Sequence, residues 1–359
     1  MRALLVVDTV GGVWTYGLEL TKALASRGVA VVLAALGEPL TPQQREAALA
    51  SGAQRVYARD CALEWMRCPW GDVERSGDWL LKVAHETDAD LVHLNGYAHA
   101  ALPWHVPVVL GAHSDVLSWH KAVHGRPAGP EWDDYRDAVA AGLRGADTVV
   151  APTAAMLDAL ADGFAVTRAS VVIPNARDPH AFGAMTKEAF VLTAGRVWDD
   201  AKNVTALDRV APRLPWPVLV AGDAGPGRAR RLGRVPEPRL RSLLGRAAVF
   251  AEPARYEPFG LAALEAGLSG CALVLGDIPS LREVWGDAAA FVDPNDDDAL
   301  ERELLGLIAD DRRLHDLGER ARRRALEYSP DRLGADYLEL YEHLLAEEPL
   351  AGRAAGRAA

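Results

Sequence analysis

Two carboxylates, Glu257 and Glu265, stand eight residues apart around a Pro258-Phe259-Gly260-Leu261 turn. A short apolar stretch at 247–250 precedes them and reads as a strand. Leu261, Leu264 and Leu268 follow at helical spacing, so Gly260 and Leu261 open a helix. Backbone N–H groups at a helix start have no partner within the helix and form a site for an anion, most naturally a phosphate. Glu257 then stands on the loop at the mouth of that site. Glu265 lies about one and a half turns inside the helix, within reach of a neutral polyol such as a ribose. A lone pair of glutamates reads more often as a surface loop acid and a solvated helix acid. The Pro-Phe-Gly-Leu between them carries the functional reading.

These residues need a scaffold, and the chain supplies one in two parts. Its 359 residues are too many for one ordinary core and suit two domains. Half of them are hydrophobic and a quarter charged, the composition of a globular protein. The first half alternates short apolar strands with helices, as in a doubly wound parallel sheet. Strands are expected at 3–9, 29–36, 90–95, 106–112 and 147–152, with a long helix over 131–146. The pattern breaks in a stretch rich in Pro, Asn and Asp around 171–179, and a second α/β series begins. Its strands are expected at 189–195, 217–222, 247–251, 271–276 and 289–292, before closing helices at 296–309, 311–327 and 331–346. This divides the chain into domains at 1–178 and 179–328, a closing helix at 329–348 and a tail at 349–359 without large apolar residues.

Other chemistry-bearing residues fall at the ends of these strands. Gly11-Gly12 lies between the first strand and its helix, where backbone must pass close to a ligand. No G-x-G-x-x-G runs through Gly11, Gly12 and Gly17, so the turn is not a dinucleotide fingerprint. Arg196 and Lys202 follow the strand ending near Gly195. Two such cations can hold a pyrophosphate, or can merely pair with Asp199 and Asp200. His113 ends the 106–112 strand on the same side as Gly12. His93, His99, His120 and His124 are weaker candidates, and nothing spaces any of them as a metal site. Asp296-Asp297-Asp298 reads as negative charge at a helix start rather than as a metal site.

The motif at 257–266 resembles the signature of the retaining glycosyltransferases of family 4, E-P-F-G-L-x-x-x-E-A, at every specified position. The resemblance implies the GT-B fold: two Rossmann-like doubly wound parallel-sheet domains across a cleft, with a C-terminal helix crossing back to the N-terminal domain. Tyr337, Leu338, Tyr341 and Leu344 would then belong to the N-terminal half. It implies a nucleotide-sugar donor on the C-terminal domain and a hydroxyl acceptor on the N-terminal one. Glu265 would hold the ribose hydroxyls, Arg196 and Lys202 the diphosphate, and Glu257 a sugar hydroxyl. Phe259 and the Gly260 and Leu261 N–H groups would complete the cradle. Gly12 would lie near the donor phosphate, and Gly233 and Val235 near the base. His113 would act as a positioning and electrostatic group. Two departures stand out. The Arg-to-Lys spacing is six residues rather than five, with Asn203 in place of Gly after Lys202. In the hinge-like Ile173-Pro174-Asn175-Ala176-Arg177-Asp178, Ala176 and Arg177 replace a Gly and an apolar residue, with Asn175 and Asp178 as hinge candidates.

By composition, seven of the ten tryptophans precede residue 133. Flat aromatic faces suit sugar rings, so Trp14 and Trp119, with Asn95, are the acceptor-side candidates. A net charge of −11 argues against nucleic acid as main partner. No stretch approaches the roughly 20 apolar residues of a membrane span, and the N-terminal apolar run is too short for a signal peptide. Peripheral membrane association and oligomeric state stay open. The three cysteines read as reduced, and the expected location is the cytoplasm. No cofactor or metal is expected beyond the donor substrate, a nucleotide diphosphate sugar. The competing readings are a GT-B nucleotide-sugar epimerase or hydrolase, and a non-catalytic sugar-nucleotide-binding protein.

Overall fold

The computed structural model describes residues 1–164, 168–223 and 225–347. The tail expected at 349–359 lies outside the described residues. The chain divides into two compact units. The first comprises Met1–Ser118, Pro127–Asn175 and the segment beginning at Pro330; the second comprises Trp119–Arg126 and Ala176–Ser329.

Among the described residues, the first unit is built on seven strands: β1 (Arg2–Asp8), β2 (Ala30–Gly37), β3 (Arg55–Asp60), β4 (Leu91–Leu94), β5 (Val108–Gly111), β6 (Thr148–Ala151) and β7 (Ala169–Val172). All pairings are parallel, in the order β3-β2-β1-β4-β5-β6-β7. Parallel neighbours need crossovers. They are α1 (Gly12–Ala25), α2 (Pro42–Ala50), α3 (Trp70–Glu86), α4 (Val116–His124), α5 (Asp133–Gly145) and α6 (Ala154–Gly163). Leu4, Leu5, Val31 and Leu33 are fully buried, because a parallel sheet is covered on both faces. Residues 119–126, which include most of α4, pack with the second unit, whereas the sequence reading puts them in the first domain.

In the second unit the strands are β8 (Glu188–Ala194), β9 (Val218–Ala221), β10 (Arg230–Gly233), β11 (Ala247–Glu252), β12 (Ala272–Gly276) and β13 (Ala290–Val292). They form a parallel sheet in the order β10-β9-β8-β11-β12-β13. Its helices are α7 (Val204–Val210), α8 (Glu237–Arg246), α9 (Leu261–Leu268), α10 (Pro279–Trp285), α11 (Asp297–Ile308) and α12 (Asp311–Ala325). Asp296 caps α11 by accepting from the Ala299 N–H at 2.8 Å, which is the structural role expected for the aspartate run.

The last helix, α13 (Pro330–Glu347), returns to the first unit and packs along α1. A glycine is needed at the contact, since a Cβ on Gly334 would come 2.8 Å from the Ala23 methyl. Tyr337 and Tyr341 are buried, and with α1 and β4 they close a polar network. Tyr16 donates to the Tyr337 hydroxyl at 2.6 Å, and His93 Nδ1 bonds the Tyr341 hydroxyl at 2.6 Å. Burial lowers the His93 pKa to about 3, so the ring is neutral. Tyr341→Phe strips His93 Nδ1 of this partner without opening a cavity. The variant is expected to lose about 1–3 kcal/mol, read from urea unfolding. A loss under about 0.5 kcal/mol would show that the network does not hold α13 down.

Among the described residues, no helix is long and apolar enough to cross a membrane.

Candidate functional site

Strand order reverses once in each sheet, between β1 and β4 in the first unit and between β8 and β11 in the second. In open α/β sheets the crevice for a ligand opens at such a switch point, at the carboxyl ends of the strands. Of the sequence-predicted residues, Gly12 and Asn95 follow the strands of the first switch point and Arg196, Lys202 and Glu257 those of the second, whereas Gly233 ends the edge strand β10.

In the second unit, Arg196 follows β8 and Glu252 ends β11. The Lys202 ammonium sits between two carboxylates, 2.6 Å from Glu252 Oε1 and bonded to Glu257 Oε2. Glu257 uses its other oxygen, Oε1, to accept from the Gly260 N–H at 2.9 Å. One acid therefore ties the lysine to the start of α9. Gly260 is the N-cap at φ 93°, a left-handed conformation that glycine adopts without steric cost. The Phe259 ring lies in the core, 2% exposed and edge-on to Tyr328, so residue 259 offers a ligand only its backbone.

The Asn203 departure has a local reason. Asn203 has φ 51°, and asparagine is the non-glycine residue that best tolerates the left-handed region. Its amide donates to the Pro253 and Pro294 carbonyls at 3.0 and 2.7 Å, clamping the Lys202 turn to the loops after β11 and β13. Arg196 is 43% exposed, with its guanidinium 3.5 Å from Asp199 and over the Trp198 ring. The indole N–H of Trp119 donates to Asp199 at 3.0 Å, so this acceptor-side candidate stands within the second unit, beside the cluster.

Charge in the cluster is unevenly shared. Burial works against ionisation of all three groups. The two carboxylates nevertheless hold Lys202 above the usual ammonium range. Burial also opposes the Glu257 carboxylate, but Lys202 and Arg196 keep it below the usual range. Burial pushes Glu252 up, and Lys202 only partly offsets it. Of the two carboxylates, Glu257 is thus the one held towards the anion. Glu252 is the acid that yields first, and its Oε2 is buried with no hydrogen-bond partner among the described residues. The sequence reading missed Glu252. The available signal was a charged residue ending the otherwise apolar run 247–251.

Glu265 lies in the second turn of α9, its side chain 17% exposed, with Arg177 Nε 2.8 Å from Oε1. Burial pushes its carboxyl up and the Arg177 guanidinium opposes the shift. Gly233 ends β10 at φ 66°, and its carbonyl accepts from the Gly222 N–H at 2.9 Å. Val235, two residues on, is half-buried against the core.

In the first unit, Gly11 at φ 71° precedes α1, and Gly12 opens it with both glycines exposed. Gly17 packs the helix on β1, because a Cβ there would overlap the Val7 side chain. Past β5, His113 Nε2 lies 2.8 Å from Asn95 Oδ1. Asn95 turns its amide nitrogen to the Val6 carbonyl at 2.7 Å. That bond leaves Oδ1 for the imidazole, so Nε2 carries the proton and Nδ1 keeps the lone pair. The Tyr16 ring packs edge-on to His113 at 4.4 Å, and burial lowers the histidine pKa to about 4. The result is a neutral, oriented imidazole at a strand end. Gly111 makes room for it, since a Cβ there would collide with Asn95 and approach His113 Nε2 to 3.1 Å. Asn95 therefore serves His113 in this structure. Trp14 is half-buried on α1. His93 and His99 are buried structural groups, and among the described residues no group of three or more His, Cys, Asp or Glu is placed to hold a metal.

Residues 10–181 match the family model described as Glycosyltransferase Family 4, and residues 225–324 match Glycosyl transferases group 1. The chain is 42% identical over 93 residues to the O-antigen chain mannosyltransferase B of Escherichia coli, and 38% identical over 111 residues to the MMP alpha-(1->4)-mannosyltransferase of Mycolicibacterium hassiacum. These matches cover 26% and 30% of this chain, and only 24% and 27% of the relatives' own lengths. Over nearly the whole chain the structure superposes on sucrose-phosphate synthase from Thermosynechococcus elongatus, with TM-score 0.80, 18% identity, and coverage of 97% of this chain and 100% of that one. It superposes likewise on Anabaena HepE in complex with UDP-glucose, with TM-score 0.76, 17% identity, and coverage of 96% and 100%. At such identities the likeness is one of fold, two Rossmann-like parallel-sheet units as in GT-B glycosyltransferases.

Proposed function

We propose that this chain, of glycosyltransferase type by sequence in both units, moves a sugar from a nucleotide-sugar donor to a hydroxyl of a soluble acceptor, with retention at the anomeric carbon. The observation that carries the reading is the cluster at the β8/β11 switch point. There two cations, a helix start and a helix-borne carboxylate supply what a diphosphate and a ribose require. Arg196 and Lys202 take the diphosphate, Glu265 the ribose hydroxyls, and Glu257 a hydroxyl of the transferred sugar. Backbone at 259–261 completes the phosphate cradle, and Gly233 and Val235 border the base. Gly12 is the first-unit backbone we assign to a donor phosphate. An arriving diphosphate competes with Glu252 and Glu257 for Lys202, so donor binding redistributes an ion pair that already exists.

The acceptor oxygen attacks the anomeric carbon on the face from which the diphosphate leaves. The new C–O bond forms as the sugar–phosphate bond breaks, and the acceptor proton passes to the departing phosphate oxygen. Arg196 and Lys202 stabilise the charge growing on that leaving group, the task otherwise given to a divalent ion, so the reaction proceeds without one. His113, neutral and oriented by Asn95, accepts a sugar or acceptor hydroxyl at Nδ1 rather than taking its proton outright. Trp14 borders the acceptor. The site of action is the cytoplasm.

A thermal-shift screen with UDP-glucose, GDP-mannose and ADP-glucose tests the reading. The matching donor at about a hundred times its Kd is expected to raise Tm by roughly 5–10 °C. Incubating that donor alone should leave it largely intact, whereas rapid sugar release or epimerisation points to a hydrolase or epimerase. If none of the three shifts the melting curve, the donor site is wrong.

A further inference from the structure

Glu265, the carboxylate carried by α9, has a partner that its motif does not contain. Arg177 is 8% exposed and lies at the start of the second unit, yet its Nε reaches Glu265 in the middle of α9. The guanidinium stacks over the Phe182 ring at 5.2 Å, and the Arg177 N–H donates to the Tyr328 carbonyl at 3.4 Å. Side chain and backbone are both held.

A buried ion pair is a poor stabiliser, since a well-packed apolar pair of similar volume does as well or better. The pair therefore calls for a reason beyond packing. Glutamate has three side-chain torsions, and a half-buried carboxylate beside a diphosphate site is pushed towards swinging away or taking up a proton. The planar guanidinium, with Nε 2.8 Å from Oε1 and a second nitrogen 3.8 Å from Glu237, stands against one oxygen and offsets the charge. Arg177 Nε lies 2.8 Å from Oε1 as an ion pair, without a hydrogen bond that would occupy that oxygen. The lone pairs of the carboxylate suit a vicinal pair of hydroxyls.

We propose that Arg177 is the positioning residue that holds Glu265 ready for a ribose diol, and so makes the second unit selective for ribonucleotide over deoxyribonucleotide donors. This rests on the ribose reading of Glu265, and the test separates the two. Calorimetry compares UDP with dUDP, GDP with dGDP and ADP with dADP, and follows whichever pair the wild-type protein binds. The members of a pair differ by one hydroxyl, so a general loss of fold weakens both alike and leaves their ratio unmoved.

Wild type is expected to prefer the ribonucleotide at least about tenfold. Arg177→Met and Glu265→Ala should each bring the ratio to within about twofold, with Arg177→Lys between, since it keeps the charge and loses the fork. A full preference in Arg177→Met alongside its loss in Glu265→Ala overturns the proposal alone. No preference in wild type, or one that survives in Glu265→Ala, overturns the ribose reading and the proposal with it. Should Arg177→Met fail to fold, Arg177→Lys decides: a reduced ratio supports the proposal and a wild-type ratio overturns it.

Discussion

Replacing Lys202 with methionine is expected to cost about 3–5 kcal/mol at neutral pH, because it leaves two buried carboxylates without their shared cation. Glu252 and Glu257 both lie within reach of the ammonium and are both largely buried, so neither has water to fall back on. The pH dependence gives the loss a signature. In the wild type, Lys202 helps hold the folded-state Glu257 below its usual range. That stability is present above the unfolded-state value and lost as pH falls. In Lys202→Met the largest opposing charge is gone, and burial, resisted at Glu257 only by Arg196 and backbone N–H groups, raises both carboxyls. Their stability is then present at low pH and lost as pH rises through the folded-state values. The wild-type and variant curves should converge on acidification and diverge above neutrality. Urea unfolding at pH 5 and pH 8 checks this, and an equal deficit at both would mean that the pair is not charged as described. Adding Glu252→Gln should restore part of the loss at pH 8, since it removes one of the stranded charges. Lys202→Met should also bind a nucleotide diphosphate far more weakly than wild type.

His113→Ala is expected to lower kcat by about a hundredfold while leaving donor affinity within about threefold of wild type. The histidine follows β5 in the first unit, whereas the cations assigned to the diphosphate belong to the second, so its loss should fall on transfer rather than on nucleotide binding. Burial has moved its pKa to about 4, so the ring is already neutral throughout the physiological range. The kcat profile of the wild type should accordingly show no inflection from this residue between pH 5.5 and 8. Stability follows the same shift. A histidine with a depressed folded-state pKa favours the folded protein above its unfolded value near 6.5 and loses that contribution as pH falls towards 4. His113→Ala should therefore be less acid-sensitive than wild type between those limits. Wild-type turnover in the variant would remove His113 from the site.

How much of this was legible in advance varies with burial. The central strands announce themselves as apolar runs because a parallel sheet is covered on both faces. The expected spans for β1, β2, β8, β11 and β12 lie within a residue or so of those observed. The three strands absent from the sequence reading, β3, β7 and β10, are all at sheet edges. Arg55-Val56-Tyr57-Ala58-Arg59-Asp60 and Arg230-Arg231-Leu232-Gly233 expose one or both faces and carry charges, the composition by which edges avoid unwanted pairing. Nothing local distinguishes them from loop.

The site divides along the same line. Glu257, Gly260, Glu265, Arg196 and Lys202 were readable because each is fixed by its own strand-to-helix turn, and short-range spacing is a property of sequence. Local sequence likewise determined the helix start at Leu261 and the strand ends that carry Gly12 and His113. Only the tertiary structure decided who their partners are. Glu252 meets Lys202 across 50 residues and Arg177 meets Glu265 across 88. Trp119 joins Asp199, and the tyrosines of α13 reach His93 from the far end of the chain. Such pairings depend on strand order and on which helix returns to which sheet, and no residue spacing encodes those. The motif at 257–266 thus defines the candidate ligand groups by itself. The charge state of Glu257 and Glu265 is set by residues brought alongside only when the chain folds.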